Sequence, residues 1–181
     1  MEENNPLLGG PNHIFLLGFM GAGKTTLGKA LAKRIALPFL DLDNLIEATS
    51  GRSIADIFTQ EGDYGFRELE HQTLLEHLPR SRHVVATGGG TPCYFGNMDI
   101  MNQWGQTVYL SVTVAELHRR LEADPRHRPL LHTYTGQRLR LRIEQLLLER
   151  EPYYSRAKIV LQRDNAQVHD LQQVLRLPTV G

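Results

Sequence analysis

The chain has 181 residues, enough for one well-packed domain and short for two. Its 20 basic and 20 acidic side chains cancel, which excludes the global positive field that nucleic acid or an anionic membrane surface would select. A single cysteine, Cys93, rules out an internal disulfide framework and a four-cysteine zinc site, and no apolar run reaches the ~18 residues of a membrane span. The start Met1-Glu2-Glu3 is acidic and lacks the basic region of a secretory signal, so the expectation is a soluble cytoplasmic protein.

Residues 1–12 are polar and rich in Pro and Gly and read as a loose tail ahead of one domain over 13–177. His13-Ile14-Phe15-Leu16-Leu17 is an apolar run of strand length. It leads into Gly18-Phe19-Met20-Gly21-Ala22-Gly23-Lys24-Thr25, which fits G-x-x-x-x-G-K-[ST], a loop whose backbone N–H groups wrap nucleotide phosphates. From Thr26 to Ala36, Leu27, Leu31 and Ile35 recur every four residues on one helical face. Strand, Gly-rich turn and helix in that order aim free N–H groups and a positive dipole end at one point. In this motif Lys24 supplies a mobile charge for the β- and γ-phosphates, and the Thr25 hydroxyl is suited to Mg²⁺.

Pro38 closes that helix, and Phe39-Leu40-Asp41-Leu42-Asp43 alternates with period two as a strand does. Short helices are predicted over Asn44–Thr49, ending at Gly51, and over Ile54–Thr59 behind an N-cap at Ser53. A longer one runs from about Gly65 to Leu78 with Phe66, Leu69, Thr73 and Leu74 inward. Strands follow at His83–Thr87 and Thr107–Ser111, the first running straight into Gly88-Gly89-Gly90. Thr113 and Glu116 match a capping box opening a helix to Glu122. Ala123 to Gly136 loses periodicity and carries Pro125 and Pro129, as a long surface loop would. Gln137–Glu149 is helical, Lys158–Leu161 a last strand and Val168–Leu177 a last helix. Strands alternating with helices predict an α/β fold, three-layer αβα, with a mostly parallel central sheet covered on both faces.

A phosphate-binding loop needs a carboxylate near the metal, and the strands ending at Thr87 and Ser111 offer none. Asp41 and Asp43 share one face of the strand next in sequence, at the end where ligands of open α/β sheets bind. One can face Mg²⁺ and the other an acceptor hydroxyl. The competing assignment is a pair of solvated or helix-capping carboxylates, and the loop before them favours the first. Gly88-Gly89-Gly90 allows positive φ and close approach of a polar ligand. Between Arg119 and Arg150 eight arginines face four acids, some of them a solvated helix face at Arg138, Arg140 and Arg142. Arg128, in the Pro-containing loop, is suited to meet a transferring phosphoryl group if the loop closes. Arg150 ends its helix before Pro152, as a cap of helix carbonyls or a ligand group. Arg67 sits near a helix start against the dipole, which calls for a carboxylate partner, either Glu70 or a ligand.

Together these residues resemble the shikimate kinase family over roughly residues 13–177. The loop alone marks a superfamily; the Asp41-Leu42-Asp43 pair, Phe66-Arg67, Gly88-Gly89-Gly90, Arg128-Pro129-Leu130-Leu131 and Arg150 before Pro152-Tyr153 make the resemblance specific. It implies a P-loop fold of the nucleoside monophosphate kinase type with a mobile lid near 123–136. It also implies a second mobile segment around Ser53 to Glu70 that closes on the acceptor, within an acceptor-binding segment of about 44–78. It implies transfer from MgATP to the 3-hydroxyl of shikimate by a monomer. By that resemblance Gly21, Ala22, Gly23, Lys24, Thr25, Thr26 and Arg128 hold the ATP phosphates, and Lys24, Asp43 and Arg128 are catalytic. Thr25 and Asp41 hold Mg²⁺, and Asp43, Arg67, Gly88, Gly89, Gly90 and Arg150 hold shikimate. Arg120 and Gln167 contact adenine, with Arg119 the alternative to Arg120. Asp63 replaces a frequent Glu before Phe-Arg, and the loop at 162–167 lacks a frequent proline. Rival assignments are a gluconate or nucleotide kinase of the same fold, a silent binding module, and a GTPase-like switch. The last lacks Asn-Lys-x-Asp and Asp-x-x-Gly sequences.

Overall fold

The computed structural model describes residues 12–78, 80–123, 130–131 and 133–177. Arg128 and half of the anticipated lid, 124–129 and 132, lie outside the described residues. Five strands form one sheet in the order β2-β3-β1-β4-β5. They are β1 (His13–Leu17), β2 (Phe39–Asp41), β3 (Val84–Ala86), β4 (Gly105–Ser111) and β5 (Ile159–Gln162). Every pairing is parallel. Because β1 lies inside the sheet, all five of its residues are buried, and period two sends them to opposite faces. Ile14 and Leu16 join the cluster formed with α1 (Lys24–Arg34), α5 (Val114–Glu122), α6 (Gly136–Tyr154) and α7 (Val168–Val174). Phe15 and Leu17 join the other, against Leu74 of α3 (Ile54–Glu76) and Met98 and Met101 of α4 (Asn97–Trp104). A third cluster packs α2 (Leu42–Ser50) on α3 through Leu42, Ile46, Ile57 and Phe66. This is the expected three-layer arrangement.

Three local readings are corrected. The strand read over 39–43 stops at Asp41, whose carboxylate caps α2 by accepting from the Asp43 amide at 3.2 Å. A satisfied N-cap outweighs two more residues of alternation on an edge strand. Asp43 therefore stands in the first turn of a helix, not on a strand face shared with Asp41. The two helices read over 54–78 are both present within α3, which leaves helical geometry at Gly62 with φ 71° and ψ −173°. The box at Thr113 is half formed: Thr113 Oγ1 accepts from the Glu116 amide, but the Thr113 amide donates to Asp164. Finally, α6 runs through Pro152 to Tyr154. Pro152 has no N–H to give the Leu148 carbonyl, which belongs to a residue 76% exposed, while the extra turn buries Tyr154 completely.

Helix α4 carried no sequence signal strong enough to predict it, since its eight residues make barely two turns. It precedes Gly105, which is paired with His13 across β1 and β4. A Cβ at Gly105 would lie 2.0 Å from the His13 carbonyl oxygen. The substitution Gly105→Ala should separate two central strands and cost about 1–3 kcal/mol, read as a lower urea midpoint at unchanged slope.

Candidate active site

In a parallel sheet the strand ends converge on one edge, and here β2, β3 and β1 deliver Asp41, Gly88-Gly89-Gly90 and the P-loop side by side. Two cavities open there. One of about 910 Å³ is lined by Gly21 to Thr26, Asp41, Arg120 and Gln167. The other, about 400 Å³, is lined by Phe58, Phe66, Arg67, Gly88 to Gly90, Leu130 and Arg150. Met20, Asp43, Asn44 and Gly89 line both. Asp43 is thus at the junction of a phosphate-type cavity and a smaller cavity carrying two arginines.

The larger cavity is built by the P-loop. Gly23 takes φ 96° as the N-cap of α1, so its own backbone turns the following amides toward the cavity. Lys24 is buried, its Nζ held by the carbonyls of Gly18 at 2.8 Å and Phe19 at 3.0 Å. Thr25 Oγ1 donates to Asp41 Oδ2 at 2.7 Å, which puts a hydroxyl and a carboxylate together beside the loop. Arg120 donates to the Gly21 carbonyl at 3.0 Å and to Glu116 at 2.7 Å, and also reaches the Asp164 carbonyl. Arg119 pairs with Glu116 from a side chain 69% exposed, so Arg120 is the one of the two that faces the cavity. Gln167 caps α7 on the far wall.

The smaller cavity gathers cations over buried carboxylates. Arg67, 3% exposed, gives Nη1 to Glu70 at 3.0 Å and pairs through Nη2 with Asp63 at 3.2 Å. Its guanidinium lies 4.9 Å from the ring centres of both Phe66 and Tyr94. The partner left open by sequence is therefore Glu70, with Asp63 as a second. Arg150, 6% exposed, stacks 5.3 Å from the Phe19 ring and borders Gly89. It lies inside α6, so the reading of a terminal residue capping carbonyls is corrected. The three glycines are needed for space, since none takes positive φ. A Cβ on Gly88 would meet Glu70 Oε1 at 2.4 Å, and one on Gly90 would meet Arg67 Nη1 at 2.5 Å.

Three buried polar atoms on this lining have no hydrogen-bond partner: Asp43 Oδ1, Arg67 Nε and Arg150 Nη1. Unpaired groups of this kind are costly and mark where a ligand completes the network. One acceptor oxygen set apart from two cationic donors suits a ligand with a hydroxyl at one end and a carboxylate at the other.

The comparisons with known proteins agree with this chemistry. A family model of shikimate kinase matches residues 20–177. A shikimate kinase of Parabacteroides distasonis is 43% identical over 166 residues, covering 90% of this chain and 96% of that protein. The chain belongs to the shikimate kinase family. Membership makes it an ATP-dependent phosphotransferase acting on a small molecule. The crystal structure of the shikimate kinase from Bacteroides thetaiotaomicron superposes with a TM-score of 0.84 at 40% identity, covering 92% of this chain and 99% of that one. A shikimate kinase from Acinetobacter baumannii in complex with shikimate gives 0.80 at 35% identity, over 91% and 90% of the two chains.

Sequence reasoning missed several residues of this shikimate kinase family site. Glu70 entered only as one of two partners for Arg67, yet it is fully buried and also accepts from the Thr91 hydroxyl. Tyr154, left without a hydroxyl partner, donates to the Gly89 carbonyl from a fully buried ring beside Tyr109. Spacing of i, i+3 from Arg67 was a usable signal for Glu70; Tyr154 had none, because its partner is 65 residues away. Cys93 is half-buried, and burial pushes its thiol up to about 11, in keeping with an apolar filler.

The electrostatics set one clear expectation. Burial first, then the negative charges of Glu70 and Asp41, raise the Asp43 carboxyl from 3.8 to about 6, against the pull of Lys24 and Arg67. A carboxyl raised on folding stabilises the fold below its unfolded value and loses that contribution as pH rises through the folded one. At about 1.4 kcal/mol per unit, ionising Asp43 costs the ligand-free fold on the order of 3 kcal/mol. Asp43→Asn should therefore match the wild type near pH 4 and exceed its stability increasingly up to pH 7, by urea titration at each pH.

Proposed function

We propose that this chain transfers the γ-phosphoryl group of ATP to the 3-hydroxyl of shikimate, giving 3-phosphoshikimate and ADP on the route to chorismate. The observation that carries the reading is the junction position of Asp43, with its unpaired Oδ1, between the P-loop cavity and the two-arginine cavity. Amides from Gly21 to Thr26 cradle the phosphates, with Lys24 turning from loop carbonyls to the β- and γ-oxygens. Arg67 Nε and Arg150 Nη1 hold the acceptor carboxylate, and Gly88 to Gly90 leave room for its ring. Asp43 Oδ1 accepts the hydrogen bond of the 3-hydroxyl. As the bond from that oxygen to the γ-phosphorus forms, the bond from phosphorus to ADP breaks and the hydroxyl proton passes to Asp43. The transition state is loose, so Asp43 acts by orientation before it acts as a base. Arg128, outside the described residues, is assigned to the transferring group from the lid, and Arg120 and Gln167 to the adenine side.

Thr25 Oγ1 and Asp41 Oδ2, in contact at 2.7 Å, fit Mg²⁺. This ion keeps several waters and takes one or two protein oxygens plus phosphates. Among the described residues there is no group of three or more His, Cys, Asp or Glu of the kind an all-protein metal cage requires. The ion would neutralise charge on the phosphates during transfer. The reading includes a cytoplasmic monomer without nucleic-acid or membrane partners, supported by the balanced charge and single cysteine. Among the described residues no helix is long and apolar enough to cross a membrane.

ADP release from MgATP, measured with shikimate, gluconate and a nucleoside monophosphate in turn, tests the acceptor. Shikimate alone should drive it; release driven by either of the others overturns the assignment. In the same assay Asp43→Asn should lose about 10²-fold or more of kcat while still binding ATP, and turnover near wild type would remove Asp43 from its role.

A further inference from the structure

We propose that Asn97 is a positioning residue for the acceptor cavity, its side-chain amide fixing the turn at Thr91 and through it both Glu70 and Gly88. Asn97 lines neither cavity and is fully buried at the start of α4. Its Nδ2 donates to the Thr91 carbonyl at 3.0 Å. Thr91, also fully buried, uses its other polar groups on the acceptor side. Its amide donates to the Gly88 carbonyl at 3.3 Å, and its hydroxyl donates to Glu70 Oε1. Glu70 in turn holds Arg67 through Oε2. Each bond in this chain joins groups out of reach of water, where a polar atom that loses its partner must move to find another.

The amide itself is held from behind. Asn97 Oδ1 lies 2.7 Å from His71 Nδ1. The Thr91 carbonyl can only accept, which fixes Nδ2 on its side and Oδ1 toward His71, so the ring's Nδ1 is the donor there. His71 follows Glu70 on α3, and its ring packs 5.4 Å from that of Phe95. Phe95 takes φ 50° and Gly96 φ 70°, a double left-handed turn that brings Asn97 back over Thr91. A bulky residue in that region is strained, and the packing of Phe95 on His71 gives the strain a counterpart. Glu70 and His71 are thus gripped by Thr91 and Asn97 respectively, which registers α3 against the turn that follows Gly88-Gly89-Gly90. Losing Asn97 frees the turn, and the displacement falls on Arg67 and Gly88 at the acceptor cavity rather than on the P-loop.

This inference rests on the proposed shikimate kinase activity, and steady-state kinetics of Asn97→Leu, Thr91→Val and the double variant test it. Asn97→Leu should raise KM for shikimate about tenfold, with KM for ATP within about twofold of wild type. The double variant should be no worse than the worse single, because both act through one path. Asn97→Asp keeps the size and the acceptor toward His71 but cannot donate to Thr91. It should reproduce the effect if the leucine variant does not fold. Thr91→Ser, which keeps the hydroxyl, should restore KM relative to Thr91→Val. Equal rises in both KM values, additive effects, or a wild-type KM in Asn97→Asp would overturn the role. Wild-type enzyme without shikimate-dependent turnover would instead overturn the activity itself, so the two failures are distinct.

Discussion

A parallel strand pair can be joined only by a crossover, and every strand of such a sheet ends on the same edge. With β1 inside, flanked by β3 and β4, that constraint collects the loops after β1, β2 and β3 into one crevice. The P-loop, Asp41 and the triple glycine reach the crevice without further instruction from side chains. The buried apolar faces of β1 hold it from both sides, Ile14 and Leu16 on one and Phe15 and Leu17 on the other. Gly105 permits the close approach of β4 that completes the sheet at this point.

The crevice then concentrates charge. Asp43 and Glu70 face Lys24, Arg67 and Arg150 where water is largely excluded, and each cation offsets the cost of ionising a carboxyl. For Glu70 burial prevails, and its carboxyl is raised despite Arg67 and the Thr91 hydroxyl. Such a cluster is a poor way to stabilise a fold, because desolvation of paired charges consumes most of their attraction. It is a good way to keep donors and acceptors fixed in space before a substrate arrives. Unpaired atoms on Asp43, Arg67 and Arg150 are the places where that arrangement is incomplete.

Aromatic packing sets the angles of the two cavity arginines. Phe66 and Tyr94 both pack against Arg67, and Phe19 of the P-loop backs Arg150. Phe19 thereby ties the loop of one cavity to a cation of the other. Tyr154 adds a fixed donor to the Gly89 carbonyl, and Gly89 lines both cavities. Geometry at the junction of the cavities is shared among α6, the P-loop and the turn after β3.

Much of this was legible in sequence because it is local. The P-loop is a contiguous motif with a fixed backbone function, and the period-two strands and four-residue helix repeats report burial of nearby residues. The triple glycine and the Phe66-Arg67 pair are likewise short-range signals, and together they were enough to reach the family. What sequence could not decide depended on partners far along the chain or on competing local rules. Asp43 was placed on a strand because alternation continued past Asp41, whereas the cap at Asp41 had already started a helix. The triple glycine suggested unusual φ, but its cause is the approach of Glu70 and Arg67 from another helix. Helix α4 is too short to leave a periodic trace, and the roles of Asn97 and of the Tyr154 hydroxyl depend on partners that no local spacing pairs with them. Sequence alone determined which chemical groups the protein carries and, α4 apart, the order of its strands and helices along the chain. Only the tertiary structure decided which of those groups face one another, because buried polar atoms are satisfied by whatever the packed layers bring within reach.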